Sequence, residues 1–194
     1  MVKTTVNSIT RRHMLAGSFA ILATPSLARA QQNVINALKA GGYVIYFRHA
    51  ATTWSGIDRI EWPREQQRLL SEEGIAQSQA IGAAFRQHGI PVGAVLASPF
   101  ARCRDMAEIA FGRVEERIEL LGLLSDNQGR SARVAYLRDR LKSQPRSGTN
   151  RIIVSHTSNI AEVANVRLAE GEAVVVRPNG TGFNVLETLL PGSW

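Results

Sequence analysis

The stretch YVIYFRHAATTWS, residues 43–55, sets an arginine–histidine pair directly after five aromatic or β-branched residues. Such a run reads as a buried strand. Arg48 and His49 then stand at its carboxyl end, where their burial has to be compensated by a partner. Two further apolar runs end in the same way. VGAVLAS (92–98) leads through Pro99 to Arg102, and NRIIVS (150–155) is followed at once by His156. Ligands of open α/β sheets bind beyond the carboxyl ends of the strands, so the three ends are expected to lie side by side.

Helical patterns alternate with these strands. NVINALKAGG (33–42) carries Val34, Ala37 and Leu38 on one face and stops at a glycine pair. Ser71 followed by Glu72 and Glu73 predicts an N-cap and an acidic first turn for a helix running to about His88. Further helices are expected from about Phe100 to Ala110, through Val134 to Leu141, and from about Asn159 to Leu168, with an apolar run near Ile118. AVVVRPNGTGFNVLETL (173–189) reads as two strands joined at Pro178-Asn179-Gly180. The alternation predicts a three-layer α/β/α sandwich, its sheet mostly parallel with a hairpin at one edge.

The chain has 194 residues, 44% of them hydrophobic and 20% charged, which suits one domain with a sizeable core. Its net charge of +7 is concentrated at the start: residues 1–30 hold Lys3, Arg11, Arg12 and Arg29 and no acid, leaving +3 for residues 31–194. That balance, without interleaved aromatic and basic residues, argues against a nucleic-acid binder. Residues 1–30 read as an export signal, with Arg11-Arg12, the apolar stretch MLAGSFAILA and the small-residue site Ala28-Arg29-Ala30. The arginine pair resembles a twin-arginine signal, and an ordinary secretory signal is the alternative. Both place residues 31–194 in the periplasm or outside the cell, with no stable membrane insertion after signal removal. Cys103 is the single cysteine, which excludes an intrachain disulfide and a cysteine-based metal site.

Taken singly, a histidine at a strand end is an ordinary structural residue and an arginine near a helix start a solvated one. Arg48, His49, Arg102 and His156 together are different, because no matching set of carboxylates is evident in the flanking sequence. Such a site calls for an anion, and a phosphoryl group suits the guanidinium fork.

These motifs carry a resemblance. FRHAATTWS is similar to the Arg-His-Gly-Glu-Thr signature of the histidine phosphatase superfamily, the phosphoglycerate mutase-like family. ASPFARCRDMAEIAF is similar to its Ser-Pro-x-x-Arg segment and IIVSHTSNI to its second-histidine strand. The similarity spans about Gly41 to Trp194, and Gly171-Glu172 with Arg177 to Gly180 resembles the tail of small exported bacterial members. It implies the phosphoglycerate mutase-like fold and a metal-independent, cofactor-free phosphatase hydrolysing phosphomonoesters or phosphoramidates, with small molecules or envelope sugars as the phosphorylated partners.

By the same resemblance His49 would be the nucleophile that forms a phosphohistidine, with Arg48, Arg102 and His156 around the phosphoryl oxygens. Thr52, Ser55 and Arg68 match positions that can touch phosphate, and structural turn or surface roles stay open for them. The leaving-group acid is expected at Glu172, with Asp126 in LLGLLSDNQGR as the alternative. Ala50 and Ala51 replace the signature Gly and Glu, which speaks against mutase activity. The short interval between Arg102 and His156 leaves little chain for a lid, so an open mouth is expected. A competing reading is an inactive phosphate- or phosphosugar-binding module of the same fold.

Overall fold

The structure, a computed structural model, describes residues 25–125 and 128–194. Most of the expected export signal, and Asp126, lie outside the described residues. Among those described, no helix is long and apolar enough to cross a membrane.

The elements run α1 (Pro25–Leu38), β1 (Val44–Arg48), α2 (Glu72–His88), β2 (Val92–Ala97), α3 (Ala101–Phe111), β3 (Glu115–Glu116), α4 (Arg130–Lys142), β4 (Asn150–Ser155), α5 (Thr157–Ala164), β5 (Ala173–Pro178) and β6 (Phe183–Leu189). They form a six-stranded sheet in the order β3-β2-β4-β1-β5-β6. The pairs β1–β4, β2–β4 and β2–β3 are parallel, while β5 joins β1 and β6 antiparallel. This is the mostly parallel sandwich with an edge hairpin that the alternation of patterns predicts.

Side-chain parity along β1 builds the layers. Ile45 and Phe47 enter a core with Leu38 of α1, Ile81 and Phe85 of α2 and Met106 of α3. Val44 and Tyr46 enter the opposite core with Leu137 and Leu141 of α4 and Ile160 of α5. Because successive strand residues face opposite ways and both faces are covered, the run had to be apolar throughout. Trp194 closes the first core, its ring centroid 5.4 Å from that of Phe47 and 4.9 Å from that of Phe85.

Local signals explain the helix ends. Ser71 Oγ accepts from the Gly74 amide at 3.1 Å, as the N-cap pattern requires, and Gly89 ends α2 in the left-handed region at φ 65°. Gly74 also permits a close approach: a Cβ there would stand 2.0 Å from the Ala51 carbonyl oxygen. The chain leaving β1 is thereby pressed against the start of α2. The fifth helix begins at Thr157 and ends at Ala164, earlier than the apolar pattern from Asn159 to Leu168 indicated. Asn165 takes φ 55° and stops it, after which Arg48 Nη1 donates to the Leu168 carbonyl at 3.0 Å.

Candidate active site

The register aligns Arg48 with Ser155 and Ala97 with Val154, so the carboxyl ends of β1, β4 and β2 are adjacent. Two bonds extend this ladder past the strands: the amide of His49 donates to Ser155 O and that of Ser98 to Val154 O, both at 3.0 Å. His49 and His156 then meet edge to face with ring centroids 5.7 Å apart. They line a pocket of about 260 Å³ together with Arg48, Asp58, Arg68 and Arg102. The convergence expected of the three strand ends is therefore present.

His49 is 3% exposed, and its Nδ1 lies 2.9 Å from the Ala50 carbonyl oxygen. A carbonyl oxygen only accepts, so Nδ1 carries the proton and Nε2 keeps its lone pair. Burial, reinforced by Arg102, Arg48 and Arg68, pushes the pKa of His49 well below the usual histidine value. The pKa of His156 is likewise pushed well below its ordinary value, first by burial and then by Arg102. Both imidazoles are neutral at pH 7.

His156 is fixed from three sides. Its Nε2 lies 2.9 Å from Ser98 Oγ, and its backbone amide donates to the Tyr46 hydroxyl at 3.1 Å, which donates back to the His156 carbonyl at 2.7 Å. Phe100 packs edge-on against the ring at 5.5 Å. Cys103 Sγ lies 3.8 Å from Nε2, and burial pushes this thiol up to about 12, so it stays protonated.

The structure corrects the expectation that the arginines lack carboxylate partners. Glu170 accepts from Arg48 at 3.2 Å, from Arg68 at 2.9 Å, and from the amide and hydroxyl of Thr52, each at 3.2 Å. Asp58 takes a short hydrogen bond from Arg102 and a 3.1 Å bond from the Arg68 amide. The loop after β1 and the chain before β5 supply these acids, at 44 and 102 positions' distance from Arg102 and Arg68. No short-range pattern could have announced them. Three guanidinium groups still face two carboxylates, so an anion, not a metal cation, is the occupant the charges favour. The Nε–H groups of Arg68 and Arg102 are buried without a partner among the described residues.

Arg68 lines the pocket, as expected of a site residue, and the surface alternative does not hold. Other expected site residues are placed differently. Thr52 is tied to Arg68 and Glu170 behind the pocket, and Ser55 is exposed and does not line it. Glu172 does not line it either: its Oε2 accepts from the Ala169 amide at 2.7 Å, capping a turn. The acidic residue two positions earlier, Glu170, is the one joined to the arginines.

Comparisons with known proteins agree with this fold. Residues 44–130 match the profile of the histidine phosphatase superfamily (branch 1). No curated protein is similar enough in sequence to count as a match. Among solved structures, the protein histidine phosphatase SixA complexed with tungstate superposes with a TM-score of 0.57 at 16% identity, covering 77% of this chain and 97% of that one. The alpha-ribazole phosphatase from Shigella flexneri gives 0.56 at 19% identity, covering 76% and 95%. A phosphoserine phosphatase variant from Entamoeba histolytica in complex with phosphoserine gives 0.54 at 11% identity, covering 78% and 98%. At these identities the likeness is one of fold.

Proposed function

We propose that this protein is a phosphatase that works through a phosphohistidine on His49, a reading supported by the match of residues 44–130 to the histidine phosphatase superfamily (branch 1). The observation that carries this reading is a neutral imidazole whose Nδ1 faces the Ala50 carbonyl, so that Nε2 keeps its lone pair, held against a second neutral imidazole in a pocket bordered by three arginines.

Nε2 of His49 attacks phosphorus in line, and the phosphoryl group moves from the ester oxygen to the ring. Negative charge spreads over the three equatorial oxygens as the bonds exchange. Arg102, Arg68 and Arg48, with His156, are fixed where that charge develops, and the pre-oriented donors need little reorganisation. Water then cleaves the N–P bond and releases inorganic phosphate. This route uses the chain's own groups for nucleophile and charge stabilisation, so it proceeds without a metal or organic cofactor. Ile57 and Leu124, 81% and 86% exposed, flank the pocket. They offer apolar contact to the leaving group of a phosphomonoester or phosphoramidate. An export signal at residues 1–30 would place this activity in the periplasm or outside the cell.

The test is His49→Ala in the purified protein, assayed by phosphate release with chelator present. Release falls to the uncatalysed background, and acid-labile, base-stable radiolabel from a phosphorylated substrate no longer attaches to the chain. Retained hydrolysis would reject the reading. Phosphate binding without turnover in the unaltered protein would favour the inactive binding module instead.

A further inference from the structure

Asp58 lies in the loop between β1 and α2, with its side chain 2% exposed. Its Oδ2 takes the bonds from Arg102 and from the Arg68 amide, while its Oδ1 is buried and has no partner among the described residues. It lines the same pocket as His49 and His156. A buried carboxylate oxygen normally has a donor, so an unengaged one on a residue that lines the nucleophile's pocket is a position for a proton or for water. Neither Glu172, which caps a turn, nor Thr52, which is tied to Glu170, offers such an atom.

We propose that Asp58 is the proton-transfer residue of this site. The assignment rests on the phosphatase reading above. Facing Asp58 are Arg102 from α3 and Arg68 from the segment before α2, with Arg48, His49 and His156 around the same pocket and Glu170 behind Arg48 and Arg68. An arriving phosphoryl dianion draws on Arg102, the cation that neutralises Asp58 in the empty site. Asp58 then shares that cation with two more negative charges, and in this proposal it takes up one proton from solvent as the substrate binds. The substrate thus loads the proton that its own departure requires.

In the first step the Nε2 lone pair forms the N–P bond while the P–O bond breaks, its electron pair staying on the leaving oxygen. That oxygen takes the Asp58 proton and departs as an alcohol. In the second step water attacks phosphorus and gives one proton to the Asp58 carboxylate, and the N–P electron pair returns to Nε2. Hydrogen phosphate leaves with the remaining hydroxyl, and the protonation states of the start are restored.

The experiment measures kcat for the full protein and for Asp58→Asn on p-nitrophenyl phosphate, whose leaving group needs no acid, and on glycerol phosphate, whose leaving group does. The variant should keep p-nitrophenyl phosphate within about tenfold and lose roughly 10²- to 10⁴-fold on glycerol phosphate. An equal loss on both esters would show that Asp58 only holds Arg102, and would overturn the proposal. So would a steep leaving-group dependence in the unaltered protein, a measurement that stands even if the variant fails to fold. Tungstate binding in buffers of different ionisation heat supplies a readout independent of turnover. Proton uptake by the unaltered protein that shrinks in Asp58→Asn supports the assignment, and unchanged uptake overturns it. If the unaltered protein hydrolyses no ester, the phosphatase reading fails, and the tungstate arm still decides the protonation of Asp58.

Discussion

The two carboxylates that meet the site's arginines are used in opposite ways. Glu170, about a quarter exposed, takes bonds on both oxygens, from Arg48, Arg68 and Thr52. Asp58 is almost wholly buried, yet one of its oxygens has no partner among the described residues. A fully satisfied carboxylate holds its partners in one arrangement, whereas a half-satisfied one in low dielectric is reactive. Glu170 therefore fixes where two cations stand, and Asp58 is available for chemistry.

Removing the buried cation breaks the comparison most severely. Arg102→Ala leaves Asp58 as an uncompensated buried charge, and a cost of about 3–5 kcal/mol is expected from urea denaturation. In whatever folded protein remains, kcat should fall by about 10²- to 10³-fold, as when one donor to a developing oxyanion is lost. A stability unchanged by this substitution would mean that Asp58 is hydrated rather than buried.

Acid acts next most strongly, through the two imidazoles. The folded pKa values of His49 and His156 are lowered, so below about pH 6.5 the unfolded chain binds protons that the folded one does not. Stability is then complete above that pH and declines as the pH falls below it, with both imidazoles contributing. Urea midpoints across that range check it, and the slope should roughly halve in His156→Asn. A slope unaffected by that substitution would contradict a neutral buried His156.

Glu170→Gln sharpens the contrast with the smallest effect. It keeps an acceptor but removes the charge from a partly exposed position, so about 1–3 kcal/mol of stability is lost. Its effect on kcat should be the same for p-nitrophenyl and glycerol phosphates, unlike that of Asp58→Asn. A leaving-group-dependent loss in Glu170→Gln would reverse the roles assigned to the two acids.

Much of this is legible in the sequence. The apolar run at 43–47, the cap at Ser71 and the polar residues closing three strands predict the sandwich and the meeting of Arg48, His49, Arg102 and His156 at one pocket. Each follows from a periodicity or a cap within a few residues of chain. The acids were not legible. The expected acid, Glu172, caps a turn, and its neighbour two positions back joins the arginines, because a loop has no period from which to read side-chain direction.

What the amino-acid order alone determined is therefore the layers and the residues at the strand ends: hydrophobic parity dictates which way a strand's side chains point, and parity is local. What the folded chain decided is which charges neutralise which. Asp58 reaches Arg102, Glu170 reaches Arg48 and Arg68, and Trp194 packs on Phe47 across most of the chain's length. Those pairings depend on through-space distance in low dielectric, which exists only once both cores have closed around the sheet.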